Sequence, residues 1–168
     1  MSAPVADERC DAECLARQVV QAMYERDLAS QALGMRVEEV GPGYARVSMS
    51  VRDDMVNGHR ICHGGLIFAL ADSAFAFACN TGNRVTVAAG ATIDFLRPGE
   101  LGDVLTATAR ERSRTRRNGI YDVEVCKQTG ECVALFRGRS HERPGEVIQA
   151  QAAPPALPSN VPDGQARE

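Results

Sequence analysis

The sequence has no apolar run of the roughly 18 residues that a bilayer-spanning helix requires. Its first ten residues, MSAPVADERC, lack the basic start and apolar centre of a secretory signal. It also lacks an excess of basic residues, because the net charge is −3, and this argues against a general nucleic-acid binder. These absences predict a cytoplasmic protein that binds neither membranes nor nucleic acids.

No two of the six cysteines form a CxxC pair, and the spacings of zinc fingers are absent. We therefore expect no metal site and no cofactor, and in a cytoplasmic protein we expect free thiols. Cys79 lies in an apolar run and is interpreted as a small core residue. Cys62 lies beside a candidate site, where a nucleophilic role is an alternative that we rank below a bystander role.

The 168 residues are 44% hydrophobic and 24% charged, which is the balance of one globular domain with a substantial core. Helical spacing of apolar residues predicts a helix over 11–33, with Gly34 as its C-terminal stop. Residues 44–51 alternate between apolar and polar, which predicts a half-buried strand. Residues 64–79 are apolar nearly all round and predict a helix buried on most sides.

A meander of four strands follows this helix. The strands are predicted over 85–96, 103–112, 120–127 and 132–139, with RPG, NG and QTGE as the turn signals between them. The apolar helix must be covered, and an antiparallel sheet curled around it is the natural cover.

Three regions are predicted along the chain. They are an N-terminal helix region over 1–33, the main domain over 34–143 and a tail over 144–168. The tail holds five of the eight prolines and few large apolar residues, so we expect it to be disordered.

Asp72 stands in the middle of the apolar helix with only Ser73 as a polar neighbour. An ionised carboxylate in apolar surroundings must be partnered, hydrated or raised in pKa, and a general base or nucleophile has such a setting. The alternative is a buried aspartate that ties down a neighbouring loop, and the spacing favours neither interpretation.

The HGG motif at 63–65 precedes the same helix. First-turn N–H groups of a helix are unpaired and can hold negative charge that develops on a carbonyl oxygen. Asn57 has an amide that can donate to a carbonyl or hold a water. A tight turn is the alternative for both features, and for His63 we prefer a role in fixing the turn over one in proton transfer.

Gly64 and Asp72 are separated by eight residues, which is about 12 Å of helical rise. One substrate carbonyl cannot lie within hydrogen-bond reach of both residues on one straight helix. If both act on the same carbonyl, they must come from two chains, whose antiparallel helices meet across a twofold axis.

The stretch RERSRTRRNG at 110–119 contains five arginines on an otherwise acidic chain. Guanidinium groups suit phosphate oxygens, although a solvated hairpin end is the alternative.

Three stretches together resemble the hotdog-fold acyl-CoA thioesterases of the PaaI type, from phenylacetate degradation. They are MVNGHRICHGGLIFALADSAFAFACN, TIDFLRPGELGDVLTATA and NGIYDVEV with VALFRGRSH, and the resemblance covers residues 18–143. It implies an α+β hotdog fold, with an antiparallel sheet wrapped around a long central helix. It also implies hydrolysis of aryl-acetyl and hydroxyphenylacetyl-type acyl-CoA thioesters to the free acid and CoA, without metal or cofactor.

The resemblance assigns roles to individual residues. Asp72 corresponds to the base or nucleophile, the Gly64 N–H to the group that holds the carbonyl, and Asn57 to the amide that places the carbonyl or a water. The predicted substrate-binding residues are His63, Gly65, Ser73, Arg114, Arg116 and Arg117. The resemblance further implies a homodimer with continuous sheets and shared sites, and pairing of dimers into a homotetramer.

Two other functions remain open. One is a non-catalytic acyl-CoA-binding hotdog module, and the other is a hotdog hydratase that uses His63 together with Asp72. The joint presence of Asn57, Gly64 and Asp72 favours catalysis over binding alone.

Overall fold

The computed structural model describes the backbone of residues 5–149 and the side chains of residues 11–149. The elements in chain order are α1 (Val5–Tyr24), α2 (Leu28–Ala32), β1 (Arg36–Gly41), β2 (Tyr44–Ser50), a short 3-10 helix (Asp53–Met55), α3 (Gly64–Asn80), β3 (Thr86–Phe95), β4 (Val104–Thr115), β5 (Asn118–Lys127) and β6 (Cys132–Glu142). None of the helices in this part of the chain combines the length and apolarity needed to cross a bilayer.

The six strands form one antiparallel sheet in the order β1-β2-β4-β5-β6-β3. The sheet curls around α3, which contacts β2, β3, β4, β5 and β6. The predicted helix over 64–79 and the four-stranded meander after it are both present. This arrangement is the predicted α+β architecture of a sheet wrapped around a long central helix.

Small residues allow the sheet to approach α3 closely. Ala71, Ala74 and Phe75 are all buried. The ring of Phe75 lies 5.5 Å from the ring of Tyr121 on β5. On β6 it lies against Gly138, where a Cβ would meet three of its ring carbons at 2.8 Å. A side chain at position 138 is therefore excluded by the packing of the central helix.

The predicted single helix over 11–33 is wrong, because the chain breaks between α1 and α2. Asp27 caps α2, and its Oδ1 accepts a hydrogen bond from the Ser30 N–H at 3.0 Å. Gly34 has a φ of +70°, which confirms the predicted stop at that residue. The Tyr24 hydroxyl donates to the Met35 carbonyl at 2.6 Å, so the N-terminal helices join the same core as the sheet.

The turn between β4 and β5 also differs from the prediction. Asn118 and Gly119 belong to β5, and Thr115 pairs with Asn118, so Arg116 and Arg117 form the two-residue turn. Arg116 takes the positive φ, at +53°. Gly119 is required for a different reason, since a Cβ there would lie 2.7 Å from the Ser140 hydroxyl on β6. The NG signal is thus explained by close strand packing.

Residues 144–149 fold back on the loop before β3. The Asn83 side chain donates to the Ile148 carbonyl and accepts from the Ile148 N–H, both at 2.9 Å. The first residues of the tail are therefore ordered, whereas the whole tail was predicted to be disordered. The remainder of the predicted tail, 150–168, lies outside the described residues, and the boundaries at 33/34 and 143/144 stay predictions.

Gly138→Ala is expected to lower the free energy of unfolding by about 1–3 kcal/mol, because the new Cβ meets the Phe75 ring and the packed core cannot yield without strain. Gly41→Ala is the matched control, since nothing lies within 4 Å of a Cβ at that position. Urea denaturation of both variants measures the difference. Equal midpoints for the two variants would contradict the packing argument.

Candidate active site

The N-terminus of α3 presents a free backbone amide. His63 is the N-cap of the helix, and its Nδ1 accepts a hydrogen bond from the Gly65 N–H at 3.0 Å. The Leu66 N–H donates to the His63 carbonyl at 2.8 Å. Within the described residues the Gly64 N–H has no such partner. It is therefore available to a ligand, and His63 has the turn-fixing role that the sequence favoured.

Asn57 is fixed by its own turn. Its Oδ1 accepts from the His59 N–H at 2.9 Å, and its backbone N–H and carbonyl bond to Ile61 and Arg60, both at 2.8 Å. Arg60 holds a φ of +62°, an uncommon conformation for a non-glycine residue. The amide nitrogen of Asn57 has no partner in residues 11–149, so it can donate to a carbonyl or a water.

A cavity of about 410 Å³ joins these two groups. Its lining consists of Asn57, Ile61, Cys62, Gly64, Ile67, Phe95, Leu96, Arg97 and Pro98. Most of these side chains are apolar, and the two groups with a free N–H open into the same space. Such a cavity can hold an apolar acyl group with its carbonyl oriented by hydrogen bonds.

Asp72 does not line this cavity. It lies two turns further along α3, about 12 Å of rise from Gly64, so a single chain does not bring the two together. The carboxylate is half-buried and has no hydrogen-bond or ion-pair partner among the described residues. Burial raises the pKa of Asp72 above its ordinary value, because the charged form loses hydration.

Ser73 and Gly65 make contacts within their own chain. The Ser73 hydroxyl lies 2.9 Å from the Ser30 hydroxyl, which in turn donates to Asp27 Oδ2 at 2.6 Å. Since the proton of Ser30 is used in that bond, Ser73 donates to Ser30 and holds α3 against α2. The Gly65 N–H is occupied by His63. Both residues therefore position α3 in this chain, and their predicted contacts with the substrate stay predictions.

Cys62 lines the cavity but is only 3% exposed. Burial raises the pKa of its thiol, which disfavours the reactive thiolate. These features agree with the bystander role and not with a nucleophile.

The five arginines of the stretch 110–119 have different surroundings. Arg110 lies over the Tyr44 ring, Arg112 pairs with Asp122 at 2.9 Å, and Arg114 donates to the Cys79 carbonyl at the end of α3 at 3.5 Å. The other two members, Arg116 and Arg117, are exposed in the β4–β5 turn and have no ion pair within the described part of the chain. The turn lies at the opposite end of α3 from Gly64, so these arginines do not line their own chain's cavity.

The wall formed by Phe95, Leu96 and Arg97 was missed by the sequence analysis, which treated FLRPG as a strand end and turn. Phe95 is 53% exposed, and its ring would lie 3.2 Å from a Cβ at Gly64. A run of large apolar residues directly before a turn was the available signal. The contact also explains why glycine stands at position 64.

Residues 59–134 match the thioesterase superfamily. The acyl-coenzyme A thioesterase PaaI of Escherichia coli strain K12 is 50% identical over 135 residues, which cover 80% of this chain and 96% of that protein. This chain belongs to the PaaI-type acyl-CoA thioesterases. A putative esterase of Archaeoglobus fulgidus is 33% identical over 74% of this chain and 80% of its own length.

Solved structures of PaaI proteins share the fold. The Escherichia coli PaaI protein from the phenylacetic acid degradation operon superposes with a TM-score of 0.79 at 48% identity, covering 80% of this chain and 97% of that one. A mutant of PaaI from Thermus thermophilus gives 0.65 at 41% identity, covering 68% and 97%. A Streptococcus mutans protein bound to acetyl CoA gives 0.64 at 26% identity, covering 67% and 90%. The predicted family, hotdog fold and enzyme class are thereby confirmed.

Proposed function

We propose that this thioesterase hydrolyses aryl-acetyl and hydroxyphenylacetyl-type acyl-CoA esters to the free acid and CoA. The acyl-CoA class is supported by the relative from Escherichia coli, and the aryl-acetyl group by that protein's operon of phenylacetic acid degradation. The apolar walls of the cavity, Ile67, Phe95 and Leu96, are suited to an aromatic acyl group. CoA esters are intracellular metabolites, so we also propose a cytoplasmic location.

The unpaired Gly64 N–H at the mouth of this cavity is the observation that carries the proposal. In the proposed complex it donates to the thioester carbonyl oxygen. The positive end of the α3 dipole adds to this interaction, and both stabilise the negative charge that develops on that oxygen in the tetrahedral intermediate. The free amide nitrogen of Asn57 donates to the same carbonyl or to the attacking water.

Asp72 supplies the remaining chemistry. Its carboxylate either attacks the carbonyl carbon or removes a proton from a water that does so, and the CoA thiolate then leaves and is protonated. A carboxylate that has lost hydration and is free of hydrogen-bond partners in the described residues is suited to either role. Both roles remain part of the proposal.

We further propose that the site is shared between two chains. β3 is an edge strand that, within residues 5–149, pairs with β6 alone, and it exposes Val87 and Phe95. A second copy added there by a twofold axis continues the sheet and makes the two α3 helices antiparallel. The partner subunit's Asp72 then faces Gly64 across the axis. Pairing of two such dimers gives the homotetramer.

The same twofold symmetry indicates where the arginine-rich β4–β5 turn of the partner subunit lies. If residue 72 of one helix faces residue 64 of the other, the C-terminal end of one α3 lies beyond the N-terminal end of the other, because the helices run in opposite directions. Arg114 bonds to the Cys79 carbonyl, so the arginine turn of the partner subunit lies on the Asn57 side of the cavity. There Arg114, Arg116 and Arg117 are available to the phosphates of CoA.

A panel of acyl-CoA esters tested with a thiol reagent distinguishes hydrolysis from the other two candidate functions. Hydrolysis releases free CoA thiol, whereas a binding module or a hydratase does not. In a hydratase, only Nε2 of His63 would be left for proton transfer, because Nδ1 accepts from the Gly65 N–H.

Asp72→Asn is expected to lower kcat by about 10²-fold or more with little change in substrate affinity, because the amide keeps the shape and removes the base or nucleophile. The wild-type rate should fall as the pH drops through the raised pKa of Asp72, since only the ionised form acts. Kinetics of thiol release against pH measures both effects. Asp11→Asn, on an exposed residue of α1, is the control, and a near-normal kcat for Asp72→Asn would remove this residue from the mechanism.

Arg116→Asn combined with Arg117→Ser is expected to raise KM for acyl-CoA esters by several-fold, weaken its dependence on salt and leave kcat nearly unchanged. Asn is chosen at position 116 because it tolerates the positive φ. Adding Arg114→Ser should raise KM further. Serine at Arg17, Arg26 and Arg36 is the control for net charge, because these exposed arginines neither line the cavity nor belong to the β4–β5 turn. Equal KM values for the two sets of variants would mean that the turn is only solvated.

The shared site is tested by mixing two inactive variants, Asp72→Ala and Asn57→Ala. A mixed dimer has one site with both lesions and one intact site. Co-refolding of equal amounts should therefore restore about a quarter of wild-type activity, because half of the dimers are mixed and half of their sites work. Thiol release measures the activity, and a tagged subunit confirms exchange. Complete exchange with background activity would assign Asp72 and Asn57 of one chain to the same site.

A further inference from the structure

Two thiols face each other on the outer side of the sheet. Cys126, near the end of β5, and Cys132, at the start of β6, are directly opposite partners in the strand register. Both are half-buried and free. The mechanism proposed above uses neither of them.

The pairing of the two strands brings the backbone at these cysteines near the spacing of a disulfide. Directly opposite residues of antiparallel strands have Cα atoms about 4.5–5.5 Å apart and side chains on the same face. Disulfides join Cα atoms that are about 4.4–6.8 Å apart. A register shift between Val125 and Cys126 interrupts this regular spacing, so the backbone at Cys132 has to adjust for the two sulfur atoms to bond.

The turn that joins the two strands is held in place. The Lys127 N–H donates to the Glu131 carbonyl at 2.8 Å, and the Gly130 N–H donates to the Lys127 carbonyl at 2.9 Å. The Lys127 ammonium contacts Asp103 at 3.2 Å and Glu131 at 3.4 Å, and its side chain is only 11% exposed. These contacts keep Cys126 and Cys132 in register.

The segment that contains Cys132 also holds the wall of the cavity. The Leu96 N–H donates to the Val133 carbonyl at 2.9 Å, and Arg97 Nη1 donates to the Cys132 carbonyl at 3.1 Å. The Arg97 side chain also pairs with Glu131 at 3.3 Å. Any shift of the backbone at Cys132 is thus passed to Leu96 and Arg97, which line the cavity.

We propose that Cys126 and Cys132 form a reversible dithiol–disulfide site that alters the cavity wall when oxidised. The oxidant is a small-molecule disulfide, RSSR. The Cys132 sulfur attacks it, giving a mixed disulfide and one RSH, and the Cys126 sulfur then attacks the Cys132 sulfur, giving the protein disulfide and a second RSH. The two cysteines lose their protons and two electrons, and RSSR gains both. The effect on the cavity rests on the proposed function, whereas the disulfide itself does not.

The order of attack follows from the surroundings of Cys126. Burial, and next the neighbouring Cys132 thiol, raise the pKa of Cys126 to about 11. Cys126 lies within β5, whereas Cys132 is the first residue of β6 beside the exposed turn, so we expect the first attack from Cys132. Once Cys132 is in the mixed disulfide, Cys126 needs only a local attack on a sulfur directly opposite it.

The bond is detected by peptide mapping. Trypsin cuts after Arg117, Lys127 and Arg137, so Cys126 and Cys132 fall into separate peptides, 118–127 and 128–137. Full-length protein with Cys10 and Cys14 replaced by serine is treated with oxidised glutathione, blocked and digested without reductant. The linked peptide pair is expected in more than half of the molecules and should disappear after dithiothreitol. Circular dichroism before digestion confirms that the protein is folded.

Single variants test the order of attack, and kinetics tests the coupling. In the same background, Cys126→Ser should trap glutathione on Cys132, whereas Cys132→Ser should leave Cys126 unmodified. The oxidised protein should show at least a threefold rise in KM for acyl-CoA esters, reversed by dithiothreitol and absent in the double variant. A folded protein without the linked peptides, or a linked form with unchanged KM, overturns the proposal. Linked peptides in a protein that hydrolyses no ester would support the disulfide and contradict only the proposed function.

Discussion

The burial of α3 on most of its sides is the interaction on which the rest of the structure depends. An apolar helix of 17 residues cannot remain in water, and a sheet of six strands curls around it to exclude water. Close approach requires small residues at the contacts, and Gly138 against Phe75 shows how little space is left. The same burial strips hydration from Asp72, which is the one acidic residue of the helix.

Nearly all polar groups around α3 have a hydrogen-bond partner. In the described residues, no buried side-chain nitrogen or oxygen lacks a hydrogen-bond partner. His63 caps the first turn, Ser73 is tied to α2, and Asn80 bonds with the backbone of Thr86. Against this background, the free Gly64 N–H, the free Asn57 amide nitrogen and the unpartnered Asp72 carboxylate are exceptions. Unpaired polar groups that lose water cost stability, so their survival is consistent with a ligand that completes them, in its own chain's cavity for Gly64 and Asn57 and, in the proposed dimer, in the partner's cavity for Asp72.

The distance between Asp72 and the other two groups, Gly64 and Asn57, is the reason for proposing a dimer. Gly64 and Asn57 share a cavity, but Asp72 lies two helical turns away. A helix is too stiff to bend one group back onto the other, and this is why a second copy of the chain is needed in the proposal. Leu96 and Arg97 of the cavity wall are hydrogen-bonded to the β5–β6 hairpin. The acyl site therefore depends on a segment that contributes no catalytic group.

The sequence by itself determined the local elements whose signals are short-range. The apolar period of α3, the alternation of β2 and the turn residue Gly34 depend only on neighbours along the chain, and they predicted the helix, the strand and the stop. Asp72 stood out as a carboxylate in an apolar stretch, whereas the roles predicted for Asn57 and Gly64 came from the resemblance to the thioesterase family. The break between α1 and α2 was missed, since the apolar period continues through the capping residue Asp27.

Only the tertiary structure decided which of these residues meet. Phe95 and Arg97 reach the cavity because β3 pairs with β6, a contact between residues about 40 positions apart that no local pattern encodes. The arginine run looked uniform in sequence, but strand pairing engaged Arg112 and Arg114 and left Arg116 and Arg117 exposed in the turn. Gly119 likewise resembled a turn residue until the approach of Ser140 showed that β6 requires it. Long-range packing sets these outcomes, because burial and steric exclusion act between strands that are distant in the chain.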